Sequence, residues 1–408
     1  MRPGGSSLPS LLLSAGVVVL LWSLFAKRLK QWRVAPALVI ACGGVLTSVI
    51  FQVDLAAPLY SPVTERTVEM VLALLLFVDA TEIRGGLLGR DKGGALRLIF
   101  IALPISVVAA TVVGAYLLPT ASLAVLLMIA CAVMPTDFSP MGALFDNNKV
   151  PSKIKHLLNV ESGYNDGIVA PVFVFALAFA EGSGSETGLG SAFETAVVSA
   201  GISLAVGVVV GLLVAGLANL TMRRGLTTGR ALGIAVIMAA LLSYGLGSVL
   251  DGNGFVAAFV CGIVYHLFRD TRLREAELAF VEDVALLCNL LVWFAFGLVL
   301  DYIFTSAALW STMTLFAILA VTILRFGPVW LALLGSRYSR AERAMIAGLG
   351  PRGTASIVFG LLAWTKLAGE DVDDASLVLI VVAWTVALSI AGFSVAAVSL
   401  ASRSKESS

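Results

Sequence analysis

The sequence predicts an all-α polytopic membrane protein of about thirteen transmembrane helices, its N-terminus outside and its C-terminus cytoplasmic. Three observations predict it: a charge-poor, apolar composition, an alternation of basic connections along the chain, and two spans broken at matching places. Spans 1–6 and 8–13 then read as inverted repeats, with span 7 as the connector and unwound segments in spans 5 and 12.

Of the 408 residues, 59% are hydrophobic and 13% charged, against about 25% charge in an ordinary soluble domain. Mean hydropathy is +0.98. A net charge of +1 gives no sign of a nucleic-acid partner, and none is expected. Cys42, Cys131, Cys261 and Cys288 are scattered through apolar stretches without a C-x-x-C pair, which argues against a disulfide framework or a zinc site. His156 and His266 both sit beside basic clusters, so a buried Ser–His pair would lack its base. The first apolar run, 8–26, follows MRPGGSS and lacks a basic n-region and a cleavage site. It reads as the first span rather than a signal peptide.

The remaining runs fall near 34–51, 67–81, 96–118, 121–144, 155–180, 191–220, 230–250, 252–268, 280–301, 307–334, 341–364 and 374–400. Each is apolar enough to cross about 30 Å of hydrocarbon, though several are short or interrupted. Charge supports the count. The odd connections hold Lys27, Arg28, Lys30 and Arg33; Arg84, Arg90, Lys92 and Arg97; Lys149, Lys153 and Lys155; Arg223, Arg224 and Arg230; Arg269, Arg272 and Arg274; and Arg337, Arg340 and Arg343. The tail adds Arg403 and Lys405, whereas the even connections and the N-terminus hold only Arg2, Arg66 and Lys366. Cytoplasmic loops are the ones that collect Lys and Arg, so this alternation orients every span.

Span 5 reads LLMIACAVMPTDFSPMGALF, with Thr136 and Asp137 near Pro135 and Pro140. Span 12 reads AMIAGLGPRGTASIVFGLL, with Gly348, Gly350, Pro351 and Gly353 around Arg352. Proline removes a backbone donor and clashes with the preceding turn. Irregular backbone at membrane depth occurs where it is buried in protein or lines a wet cavity. Interrupted spans at matching positions of two halves mark the binding site of an inverted-repeat secondary transporter.

Four carboxylates, Asp79, Asp137, Glu161 and Asp166, and two cations, Arg325 and Arg352, lie at membrane depth. Such groups cost about 3 kcal/mol or more at a helix centre, so each is a functional candidate. In NVESGYNDGIVAPV, residues 159–172, Glu161 and Asn165 stack one turn apart, and Ser162 and Asp166 stack on the adjoining stripe. Together they occupy an arc of about 140°, and Gly163 beside them lets another helix approach. Arg325 needs a carboxylate that suits its fork, and Glu161 is the expected partner. Asp137 and Arg352, at the breaks, would compensate half-helix ends. Asp166 is left without a fixed counter-charge, and Asp79 falls in an access path. A lone buried carboxylate holds a proton until a cation replaces it. Asp166, Ser162, Thr136 and freed carbonyls are hard oxygens, suited to a small hard cation.

The pattern MPTD, then VESGYNDG about 25 residues on, then GPRGTAS in the penultimate span resembles the monovalent cation:proton antiporters, specifically the NhaP-like sodium/proton exchangers. The resemblance covers nearly the whole chain. It implies two crossing unwound helices and elevator-like alternating access. It also implies a dimerisation scaffold of 8–95 and 188–306 (spans 1–3 and 7–10), an ion-transport core of 96–187 and 307–400 (spans 4–6 and 11–13), and a short tail of 401–408. Cation and proton binding at Asp166 with Ser162 and Thr136, support from Asn165 and Asp137, and a Glu161–Arg325 pair are implied as well. Relatives with two adjacent aspartates at this place are electrogenic, and Asn165–Asp166 resembles the electroneutral branch. Two positions depart from the pattern. Phe138 follows the TD where the family often has proline, and Asp79 comes one residue later than the family's acid after LLF, a turn of about 100°.

The expectation is therefore a homodimeric antiporter in the cell membrane, of prokaryotic cytoplasmic type. It would exchange Na⁺ for H⁺ one for one, serve sodium and pH homeostasis, and use no organic cofactor. A K⁺/H⁺ antiporter would use the same mechanism. A sodium-coupled solute symporter would need a larger cavity. A cation channel would need a filter built by symmetric subunits. An intramembrane aspartyl protease would need two juxtaposed aspartates, and the chain carries no protease motif, so it is not expected to be an enzyme.

Overall fold

In a computed structural model of the chain, the described residues are 8–32, 34–53, 61–83, 88–138, 150–181, 189–270, 275–305, 312–369 and 371–405. Pro140, Arg2, Arg33, Arg84, Lys149, Arg272 and Arg274, used above, lie outside them.

Every regular element among the described residues is helical. α1 (Leu8–Gln31), α2 (Pro36–Phe51) and α3 (Pro62–Thr81) come first. α4 (Lys92–Arg97) runs through a π-turn (Leu98–Ala102) into α5 (Leu103–Leu117). α6 (Leu123–Val133) and α7 (Ser152–Glu181) follow, then α8 (Leu189–Arg223), α9 (Gly229–Val249), α10 (Gly254–Phe268) and α11 (Glu275–Thr305). α12 (Thr312–Val321) and α13 (Ile323–Ala332) are separated at Thr322, α14 (Arg340–Gly348) and α15 (Thr354–Leu367) by residues 349–353, and α16 (Val372–Lys405) ends the chain.

Local chemistry sets these starts. Pro36 and Pro62 occupy first-turn positions where no N–H is needed. Ser122, Thr228 and Asn253 cap α6, α9 and α10 through their side-chain oxygens. Ser339 and Glu342 form a reciprocal capping box at α14.

Among the described residues eight helices or helix pairs are long and apolar enough to cross a membrane, and α2, α6, α10 and α15 are shorter apolar helices. The outer surface is clad in exposed leucine, valine and isoleucine, including Leu12, Leu24, Leu213 and Val249. In water so large an apolar surface would drive association; against acyl chains it is the stable arrangement. The chain is a multi-pass membrane protein.

The helices pack in two groups. In the first, α2 lies on α11, α9 on α10 and α11, and α8 on α10. A Cβ on Gly44 or Gly297 would overlap the facing backbone, so α2 and α11 cross backbone to backbone there. In the second, α6 lies on α5 and α7, α15 on α16, and α16 on α12. α3 stands between the groups, against α10 on one side and α15 and α7 on the other. Its approach to α7 is close at Gly163, where an added Cβ would lie 3.1 Å from the Asp79 carbonyl oxygen.

Candidate functional site: a crossing of two unwound segments

α6 stops at Val133, and residues 134–138 are non-helical; α14 stops at Gly348, and residues 349–353 are non-helical. The two segments meet. The Asp137 amide donates to the Pro351 carbonyl at 2.9 Å, and the Thr354 amide at the start of α15 donates to Asp137 Oδ2 at 2.9 Å. Asp137 thus supplies an anion to the N-terminal end of a half-helix, where the unsatisfied amides favour negative charge. A Cβ on Gly353 would overlap this carboxylate, so only glycine fits the contact.

Arg352 is fully buried. Its guanidinium donates to the Gly350 carbonyl at 2.8 Å and the Ala320 carbonyl at 3.0 Å, and its backbone amide donates to the Ser389 hydroxyl at 2.8 Å. Ala320 lies in the last turn of α12, so this cation sits among orphan carbonyls at helix ends.

Arg325 forks onto Glu161, NH1 to Oε1 at 2.7 Å and NH2 to Oε2 at 3.1 Å, and NH2 also donates to the Leu349 carbonyl at 3.0 Å. Both side chains of the pair are 5% exposed. The pair joins α7 to α13 and to the non-helical segment between α14 and α15. Gly350 makes room for the guanidinium, which an added Cβ would overlap.

On α7 the Asn165 amide donates to the Thr136 carbonyl at 2.8 Å and to Thr136 Oγ1 at 3.0 Å, and Asn165 Oδ1 accepts the Asp166 backbone amide at 2.7 Å. Thr136 and Asn165 are buried. Asp166 is buried too, at 3% exposure. Among the described residues no ion pair or hydrogen bond holds its carboxylate, and Asp79, Asp137 and Arg352 are charges in electrostatic range of it. Ser162 is partly exposed on the same helix. Asp79 is partly exposed and lines a cavity of about 210 Å³ with Glu82, Glu282, Asn289, Asp137 and Thr354. This cavity lies between α2, α3 and α11 on one side and the crossing on the other.

Several contributors were not legible in the sequence, Ser389, the Ala320 and Leu349 carbonyls and Trp293 among them. Ser389 left a signal, a hydroxyl inside the apolar run of α16. The Ala320 carbonyl left none, because any residue supplies one. Trp293 of α11, whose indole donates to Thr354 Oγ1 at 3.2 Å, also left none, because tryptophan in an apolar helix ordinarily reads as packing.

The family described as sodium/hydrogen exchanger, transmembrane, matches residues 14–400. Two structures of the sodium proton antiporter MjNhaP1 from Methanocaldococcus jannaschii are similar in fold. The one at pH 8 has a TM-score of 0.78 at 20% identity, covering 95% of this chain and 100% of that one. An electron-microscopy structure has a TM-score of 0.73 at 18% identity, covering 98% of each chain. The match over nearly the whole length makes this chain a transporter rather than an enzyme: it belongs to the sodium/hydrogen exchanger family.

Proposed function

We propose that this sodium/hydrogen exchanger-type antiporter moves one Na⁺ against one H⁺, with Asp166 as the site both ions share. The observation that carries the reading is the contrast between Asp166 and its neighbours. Glu161, Arg325, Asp137 and Arg352 each have fixed partners, while the Asp166 carboxylate is buried beside the crossing and held by none of the described residues. A cation there would find Asp166, with Thr136 and Ser162 as further oxygens and Asn165 holding Thr136 in place. Na⁺ is taken over from the sodium proton antiporter with the similar fold, and hard oxygen ligands suit it.

Asp79 stands in the inner access path. The two packing groups support a division into a scaffold (8–95 and 188–306) and a moving core (96–187 and 307–400) that slides as an elevator. The exposed apolar α1 and α8 of the scaffold group support a homodimer. The thirteen spans run with the N-terminus outside, following the basic connections.

The test is dissipation of a pH gradient in proteoliposomes on adding Na⁺, K⁺ and Li⁺ in turn. Asp166→Asn should abolish cation-driven proton movement in a protein that still melts cooperatively, and a near-parental rate would refute the assignment. One-for-one exchange should also ignore an imposed membrane potential, whereas a net charge per cycle would couple at about 2.3 kcal/mol per 100 mV.

A further inference from the structure

Arg66 and Lys366 are the two described bases that interrupt the alternation of basic connections, and the fold brings both to one place. Lys366, in the last turn of α15, ion-pairs with Glu65 of α3 and with Glu69 at 3.0 Å. Arg66 donates to Glu69 Oε2 at 2.8 Å, and the Tyr244 hydroxyl of α9 also hydrogen-bonds Glu69. The Glu69 side chain is 5% exposed and that of Lys366 25%, so water screens these pairs only in part. α15 belongs to the second packing group and α9 to the first, with α3 between them; through Glu69 the cluster therefore ties Lys366 of one group to Tyr244 of the other. It borders a cavity of about 250 Å³ at the end of the molecule opposite to Asp79. At the inner end the same two groups are separated by the cavity that reaches Asp137. The arrangement is open inside and tied outside.

We propose that Lys366, Glu65 and Glu69 form an outer clasp that holds core against scaffold while the site faces the cytoplasm, and that opens for the site to face outward. The proposal rests on the elevator reading and the orientation given above. Lys366 touches no transported ion; it is a positioning residue that sets the balance between the two states. Removing its charge leaves Glu65 and Glu69, one helical turn apart, facing each other without it, so the closed outer arrangement loses both its attraction and its neutrality. A partly buried ion pair of this kind is worth about a fivefold change in an equilibrium.

The measurement is labelling of Leu177→Cys, which lines the outer cavity from α7, by a membrane-impermeant maleimide added outside right-side-out vesicles. Rates are read against the chain carrying its native cysteines alone. The added cysteine should label about fivefold faster with Lys366→Gln than without it, and Lys366→Arg should restore the slow rate. In exchange assays Lys366→Gln should lower the KM for external Na⁺ more than it changes kcat, because the outward-facing fraction rises. Unchanged labelling in a Lys366→Gln protein that melts like the parent would overturn the clasp, as would a Lys366→Arg variant that labels as fast as Lys366→Gln. Loss of Na⁺-driven proton flux in the unaltered chain would instead count against the exchange reading, while the labelling comparison would still decide the clasp.

Discussion

Replacing Arg325 by alanine removes three hydrogen bonds at once from a buried place. Two of its bonds go to Glu161, at 2.7 and 3.1 Å, and one to the Leu349 carbonyl at 3.0 Å. The Glu161 carboxylate is left buried and uncompensated. Breaking such a pair from one side costs about 3–5 kcal/mol, most of it the desolvation of the surviving charge rather than the attraction lost. Neutralising both partners should cost less, because no orphan charge remains. The expected order of melting temperatures in detergent is parent, then Glu161→Gln with Arg325→Met, then either single change. A double-mutant cycle should return a coupling of at least about 1 kcal/mol, since residues in one hydrogen-bonded pair are not additive. Strictly additive losses would refute the argument, because they would mean that each side chain acts without the other.

Gly353→Ala should cut exchange by tenfold or more and cost about 1–3 kcal/mol by overpacking, because its methyl would overlap the Asp137 carboxylate. Gly348→Ala, which meets nothing within 4 Å, should leave rate and melting near the parent, and equal tolerance of both changes would refute the crossing geometry. A pH effect is expected at Asp91, in the connection before α4. Burial works against its charge, but the Tyr338 hydroxyl, the Gly94 amide and Arg337 outweigh it and hold the carboxyl below the usual value. A depressed carboxylate stabilises the fold above its unfolded pKa of about 4 and loses that contribution as pH falls through the folded value. Tyr338→Phe should therefore melt lower by about 1–2 kcal/mol at pH 7, with the gap closing below about pH 4; a gap constant with pH would rule out the ionised hydrogen bond.

The architecture was readable because a bilayer leaves few choices. Every backbone group must be satisfied within its segment, so apolar runs of membrane length become helices. Helix ends were less readable. α7 begins at Ser152 and α3 at Pro62, several residues before the apolar runs there, because polar residues at a membrane boundary can continue a helix into the interface. At the crossing, Glu161 and Arg325 were legible as a pair because a buried guanidinium has few acceptable partners. The roles of the Leu349 and Ala320 carbonyls were not, because backbone acceptors carry no side-chain identity. Lys366 was visible as an exception in the charge pattern, but its partners lie about three hundred residues away in sequence, a distance that only the packed helices close.

The bonds around the crossing also bear on how such a site would change sides. Arg325 joins α13 to α7 and to the carbonyl of Leu349, and Arg352 joins the unwound segment of span 12 to α12 and α16. Asp137 joins the two unwound segments, and Asn165 joins α7 to Thr136. Moving any one helix alone would strip a buried charge of its partner, at a cost of several kcal/mol for each ion exposed to hydrocarbon. Moving the helices together breaks none of these bonds. The contacts between the two packing groups near the site are of another kind: the Trp293–Thr354 hydrogen bond and close packing at Gly163. A neutral hydrogen bond is worth about 1 kcal/mol net, which thermal motion can exchange on the transport timescale. Strong bonds among the helices at the crossing and weak ones between the groups near the site are what the proposed rigid-body movement requires; the Lys366 ion pairs at the far end are the exception, and there the proposed clasp must open. With Asp166 as the proposed shared site, the fixed ions would travel with their partners and Asp166 would be neutralised by a proton in one direction and by a cation in the other, so that the travelling charge would stay constant.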